Sequence, residues 1–452
     1  MIELDCTNVF EEAIGENGIP SGTIEETIDS SAKLAARLED NRRAGQLGFA
    51  DLPFSAEPIK AVESFARERN FAHVLVVGIG GSALGPIAID AALNSTGTGR
   101  HLRVLDNVDP DFIRDTLDQI DPHDVIVNVI AKSGVTAETM ATFAVVRRWM
   151  IDALGEKEAR SRFVVTTDPA KGDLLAIARQ EGYPTFEIPE NVGGRFSVLS
   201  PVGTLPAALL GFDVEKLMEG ARLGAKRARR PFRENPALMM AFIQWFLDQH
   251  RGKTILTLFP YSRSLWQFSF WYKQLWGESL GKKVDRQGKE VFCGQTPTAA
   301  LGVTDQHSQL QLFIEGPNDK SFVFWCLKDF KNKLPIDEAF SDYPSMTYFK
   351  GRDIARLLGA EREATEIALT EAGRPNITVS VDSLDEESLG ELIMFSQYAT
   401  AYSGELYDVN AFDQPGVDYG KRLTFAMMGR EGFDDYASRV EAHRSRNRVV
   451  VR

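Results

Sequence analysis

Residues 73–86 read HVLVVGIGGSALGP, and this stretch decides the fold. Behind one histidine lies a short unbroken apolar run without the alternation of a half-exposed strand, so it is expected to be a strand covered on both faces. Glycines at 78, 80 and 81 then turn the chain, and a helical segment follows. A buried strand that turns through glycine into a helix is the unit of a layered α/β domain. Further strands are expected at 101–105 (HLRVL), 124–130 (DVIVNVI) and 162–166 (RFVVT). Helical patterns between them would cover both faces of a parallel sheet, giving a doubly wound domain.

An amphipathic stretch at 30–47 precedes this region, and a second α/β cycle follows the basic, proline-marked stretch 222–236 (RLGAKRARRPFRENP), which reads as a linker. A strand at 254–258 leads into a helix at 264–280 whose Trp266, Phe268, Phe270, Trp271, Tyr272, Leu275 and Trp276 lie nearly all round it, the mark of a buried helix. Strands at 309–314, 322–327 and 377–381 and a helix at 384–402 complete the cycle. The expected division is a helical segment 1–50, a first α/β half 51–225, a second 226–405 and a C-terminal segment 406–452.

At roughly 150 residues per domain, 452 residues allow two or three domains. With 43% hydrophobic and 25% charged residues, disorder and fibrous structure are excluded. The 51 Lys+Arg against 64 Asp+Glu leave a net charge of -13, which repels nucleic acid and anionic membranes. The basic stretches 222–233 and 444–452 therefore read as solvated faces or interface contacts. Cys6, Cys293 and Cys326 are odd in number and widely spaced, as reduced thiols are, and offer no zinc site. The N-terminus is acidic where a signal peptide is basic, and no apolar run approaches the ~20 residues of a membrane span. A cytoplasmic location is expected.

Two loops could hold a phosphate. In VGIGGSALGP, glycines permit close backbone approach, Ser82 adds a hydroxyl, and the helix N-terminus presents free N–H groups. Formally Gly78, Gly80 and Ala83 also match GxGxxA, with Asp106 after the next strand, so a dinucleotide site and a ligand-free turn stay open. The second loop, AKSGVTAET at 131–139, offers Lys132, Ser133 and Thr136, a set suited to a compact phosphate monoester. It is equally readable as an N-capping box closed by Glu138.

Proton chemistry has four candidate groups. Arg195 lies in NVGGRFSVLS (191–200) and is either an electrostatic stabiliser or half of a structural ion pair. Glu278 closes the aromatic helix, where desolvation and the negative helix end would raise its pKa as a general base requires. His307, in TDQHSQLQLF, precedes the strand expected at 309–314. Lys421 follows a Pro-Gly turn in FDQPGVDYGK.

Taken in order, VGIGGSALGP, AKSGVTAET, NVGGRFSVLSPVG, GESLGK, TDQHSQ and FDQPGVDYGK resemble the phosphoglucose isomerase family in its shorter bacterial form, over about 71 to 429. The resemblance implies two sugar-isomerase (SIS) sub-domains, each a mostly parallel sheet between helical layers. It further implies glucose 6-phosphate to fructose 6-phosphate isomerisation in glycolysis and gluconeogenesis, no metal or organic cofactor, and a homodimer. By position, Gly81, Ser82, Lys132, Ser133 and Thr136 resemble the phosphate cradle, and Glu278 the base of a cis-enediol mechanism. Arg195 resembles the enediolate stabiliser, His307 and Lys421 the ring-opening pair, with His307 of the partner subunit completing each site. Glu138 and Gln414 resemble pocket-lining positions. Ala131, Val135 and Asp418 depart from the family pattern, which carries Ser, Thr and Glu there. A non-catalytic SIS-type sugar-phosphate sensor and an NAD-dependent dehydrogenase are the rival readings.

Overall fold

The apolar run at the start of the decisive stretch forms strand as read, and the computed structural model describes residues 1–93, 95–446 and 448–451. In chain order the first six strands are β1 (Glu3–Asp5), β2 (His73–Val77), β3 (His101–Leu105), β4 (Val125–Ala131), β5 (Phe163–Thr167) and β6 (Thr185–Glu187). They are followed by β7 (Ile255–Pro260), β8 (Lys282–Val284), β9 (Glu290–Cys293), β10 (Thr296–Ala299), β11 (Lys320–Leu327) and β12 (Asn376–Val381). One sheet has the order β3-β2-β4-β5-β6 and is parallel throughout. The other has the order β1-β12-β11-β7-β10, parallel except for β1. β8 and β9 make a separate antiparallel pair. With the antiparallel edge strand β1 set aside, both main sheets start from an inner strand, place the next sheet strand on one side and the third on the other, so the halves share a topology that no residue repeat announces.

Strand burial explains the layering. On β4, Ile126 packs with Val62, Leu205 and Leu209 on one face, while Val127 and Val129 pack with Phe143, Val146 and Met150 on the other. Strands covered twice need apolar residues at successive positions, which is what HVLVV and VIVNVI supply. In the second sheet Trp325 of β11 meets Phe268 and Tyr272 of helix Trp266–Leu280 and Phe395 of helix Glu386–Leu406. Phe259, Phe322 and Phe324 fill the opposite face with Phe313 and Leu369.

Three expectations are corrected. The N-terminal segment is not only helical, because β1 adds an antiparallel edge to β12. Residues 309–314 are not a strand but lie in helix Leu310–Glu315. Both neighbours of β11 are already paired, and the alternation there misleads: Phe313 is buried at 3% exposure while Leu312 is 52% exposed. The supposed linker 222–236 begins inside helix Val214–Arg227 and ends at the start of helix Pro236–Arg251. Helix Val214–Arg227 crosses Glu386–Leu406 so closely that a Cβ on Gly220 would enter the Glu387 carbonyl. The chain clusters into two compact units, Met1–Ala411, which holds both sheets, and Phe412–Arg452. In the second, helices Asp418–Met427 and Asp434–Arg444 are joined by ring contacts such as Tyr419 with Tyr436. The basic tail follows, with Asn447 and Arg452 outside the described residues. Among the described residues no helix is long and apolar enough to cross a membrane.

Candidate active site

β2 and β4 are parallel neighbours, with β3 on the far side of β2. The connections leaving β2 and leaving β4 therefore diverge at one point of the carboxyl edge, where doubly wound sheets receive ligands. Both glycine and hydroxyl loops emerge there. In the first, Gly80 has φ +58°, a left-handed conformation that favours glycine. At Gly81 a Cβ would run into the Gly194 carbonyl and stand 2.7 Å from the Arg195 nitrogen, so this loop lies directly on the segment carrying Arg195. Ser82 ends the turn Gly80–Ser82, and helix Leu84–Leu93 follows.

In the second loop Ser133 Oγ and Thr136 Oγ1 stand 3.1 Å apart. Thr136 occupies the N-cap position of helix Ala137–Leu154 but makes no side-chain capping bond, so the capping box with Glu138 is not formed. First-turn N–H groups are thus left without a cap from the Thr136 side chain, as a helix end that accepts an anion requires. Lys132 donates to the carbonyl oxygens of Glu190 at 2.8 Å and Val192 at 2.7 Å. Desolvation holds its pKa below the usual lysine value. Two of its three donors are thereby committed, and they tie this loop to the Arg195 segment.

Arg195 is 2% exposed in the turn Gly194–Leu199. Its Nε donates to Ser279 Oγ at 2.7 Å and its Nη2 to the Ala411 carbonyl at 2.6 Å. Nη1 lies 3.5 Å from Glu278 Oε2. Neither reading of Arg195 excludes the other: it is tethered like a structural cation and also paired with the candidate base.

Glu278 sits in the last turn of helix Trp266–Leu280, where its Oε1 accepts from Gln274 Nε2 at 3.2 Å and its carbonyl from Lys282 Nζ at 2.8 Å. The helix is buried as expected, with Trp271 at 1% and Trp276 at 0% exposure, yet the Glu278 side chain is 35% exposed. The aromatic enclosure expected of this carboxylate is therefore absent; its neighbours are polar. Gln274 and Ser279 were not singled out by the sequence. Spacing i, i+4 from Glu278 could have flagged Gln274, whose Nε2 also lies 3.0 Å from where a Cβ on Gly80 would stand. Nothing local marks Ser279, whose partner is 84 residues away.

His307 ends the turn Thr304–His307 and is exposed. Gln306 anchors that turn through the Tyr261 hydroxyl at 2.7 Å and the Glu361 carbonyl at 2.9 Å. Among the described residues of this chain no hydrogen bond joins His307 to Arg195 or Glu278. Gln414 and Lys421 are exposed residues of the unit Phe412–Arg452, Gln414 before the turn Pro415–Val417 and Lys421 on helix Asp418–Met427. No group of three or more His, Cys, Asp or Glu side chains among the described residues is placed to hold a metal ion.

Residues 63–445 match the family model described as phosphoglucose isomerase. The glucose-6-phosphate isomerase of Carboxydothermus hydrogenoformans is 41% identical over 463 residues, which cover 100% of this chain and 99% of that protein. That of Thermus thermophilus is 43% identical over 428 residues, 94% of this chain and 99% of the relative. Among solved structures, a glucose-6-phosphate isomerase from Chlamydia trachomatis shares the fold, with TM-score 0.82, 22% identity, and coverage of 96% of this chain and 94% of that one.

Proposed function

Because the chain belongs to the phosphoglucose isomerase family, we propose that it interconverts D-glucose 6-phosphate and D-fructose 6-phosphate. The observation that carries the reading is the Arg195–Glu278 pair beside two anion-binding loops. Gly81, Ser82, Ser133 and Thr136 bind the phosphate, with Lys132 holding their loop in place. Glu278 takes the proton from C2 of the opened aldose, the C2 electron pair forms the C1–C2 double bond, and the carbonyl electrons move to O1. Arg195 stabilises the resulting cis-enediolate. The hydroxyl proton of O2 passes to O1, the C2–O2 bond becomes the ketone carbonyl, and the electron pair of the double bond takes the proton back at C1. Only protons and electron pairs are rearranged within the substrate, with no net oxidation or reduction, so the scheme calls on neither metal nor organic cofactor.

His307 and Lys421 open the ring, and Glu138 and Gln414 line the pocket. Exposure of His307 supports its donation to a second copy, so that His307 of the partner subunit completes each site in a homodimer. The two SIS-type halves are 51–225 and 226–405, each supported by one main sheet, with 1–50 and 406–452 as flanking segments. Three free cysteines support a cytoplasmic protein, and a net charge of -13 argues against nucleic acid as a partner. A sensor would use the loops but neither Glu278 nor its pairing with Arg195.

A coupled assay with fructose 6-phosphate, without added metal or nucleotide, tests the reading. Glucose 6-phosphate should form, and Glu278→Gln should cut kcat by roughly 10²–10⁴-fold with affinity nearly intact. Sugar-phosphate binding without turnover in the wild type would instead establish the sensor.

A further inference from the structure

The carboxyl edge of the second sheet carries a cavity of about 800 Å³ that the isomerase scheme leaves unused. It opens where β7, β10 and β11 end, lined by residues just beyond each strand, such as Ser262, Leu301 and Asp329. β7 lies between β11 and β10 as β2 lies between β4 and β3, so the cavity occupies the place in this sheet that the phosphate loops occupy in the other. Helix Leu84–Leu93 separates the two places. Its N-terminus follows the Ser82 loop and its last two residues line the cavity, about 15 Å on at 1.5 Å per residue.

The wall after β7 is built for an anion. Ser262 is 4% exposed and lines the cavity. It stands at the N-cap of the turn Arg263–Leu265, just before helix Trp266–Leu280, without a side-chain capping bond. Its hydroxyl has no other partner among the described residues. Arg263 and Lys331 line the same space, and among the described residues neither is paired with a carboxylate. The one lining carboxylate, Asp329, accepts from the backbone of Phe330. Of the remaining lining, Phe330, Leu334 and Ile354 are apolar and Ser264, Thr304 and Asn332 polar, and the volume exceeds what a bare phosphate needs.

We propose that this cavity binds a phosphomonoester whose body joins a flat ring to polar groups, a nucleoside monophosphate. The phosphate is held by Ser262, Arg263 and Lys331, and the base lies against the apolar wall. The site is distinct from the sugar-phosphate site and stands whether or not the isomerase scheme holds.

Calorimetric titration of the full-length protein with adenosine 5′-monophosphate, in pre-equilibrated saturating fructose 6-phosphate, tests it. One site should titrate, tighter than inorganic phosphate or adenosine alone. Arg263→Ala should weaken it by roughly 10- to 100-fold, the worth of a charged hydrogen bond, with isomerase turnover unchanged. The proposal is overturned by no binding at millimolar nucleotide, by displacement with fructose 6-phosphate, or by equal affinity in Arg263→Ala. Inorganic phosphate binding as tightly as the nucleotide would overturn the role of the ring.

Discussion

Replacing Arg195 by lysine keeps the charge and removes the fork, which separates the two contributions this residue makes. The guanidinium holds at least three points at once, among them Ser279 Oγ at 2.7 Å, the Ala411 carbonyl at 2.6 Å and Glu278 Oε2 at 3.5 Å. A lysine ammonium is a compact charge on a flexible stem and cannot span them. At least one charge-assisted bond is lost, at about 1.5–3 kcal/mol, and the fully buried Ser279 hydroxyl loses its donor. Stability to urea should therefore fall by about 2–3 kcal/mol. In catalysis a preorganised donor aimed at a developing oxyanion is worth roughly 10²–10³ in kcat. Because the charge itself remains, we expect a loss near the lower end, about 10²-fold, with KM for fructose 6-phosphate changed much less. Steady-state kinetics beside urea titration of the same preparation reads both numbers. A stability loss with kcat within twofold of wild type would refute the catalytic role and leave Arg195 a structural tether.

Further perturbations address other parts of the molecule. Thr136→Ala removes a hydroxyl that caps nothing, so KM should rise several-fold with kcat nearly unchanged, as for uniform binding; a pure kcat loss in the same assay would contradict the phosphate role. Gly81→Ala places a Cβ against the Gly194 carbonyl and must part the phosphate loop from the Arg195 segment, so kcat/KM should fall more steeply than for Thr136→Ala. Wild-type kinetics in that variant would show that the two segments do not act together. Lys253 is 2% exposed, and burial pulls its pKa from 10.5 to about 8. Between those values the unfolded chain holds a proton that the native state has released, so stability rises with pH at about 1.4 kcal/mol per unit. Below pH 8 that contribution is lost. Urea unfolding from pH 7.5 to 10 should show this slope in wild type relative to Lys253→Met, and parallel profiles would disprove it.

Much of the fold is legible because the signals are local. HVLVV and HLRVL are strands at the predicted limits, and the strand and helix starting at 125 and 266 begin within two residues of theirs. Sequence fails where a neighbour decides: 309–314 alternates like a strand, but the edges of β11 are occupied, and Phe313 is drawn into the core by Phe259 and Phe322. β1 is three residues long and is a strand only because β12 offers it an edge.

By itself the sequence determined the βα units, the glycine turns that link them, and the family. These depend on backbone preferences and hydrophobic spacing within a few residues. Tertiary structure alone decided that Arg195 grips Ser279 and Ala411, 84 and 216 residues away. It likewise committed the Lys132 donors to carbonyls and left Glu278 partly exposed beside a buried cation. Solvation and hydrogen-bond partners are properties of what packs around a side chain, and distant segments supply that packing.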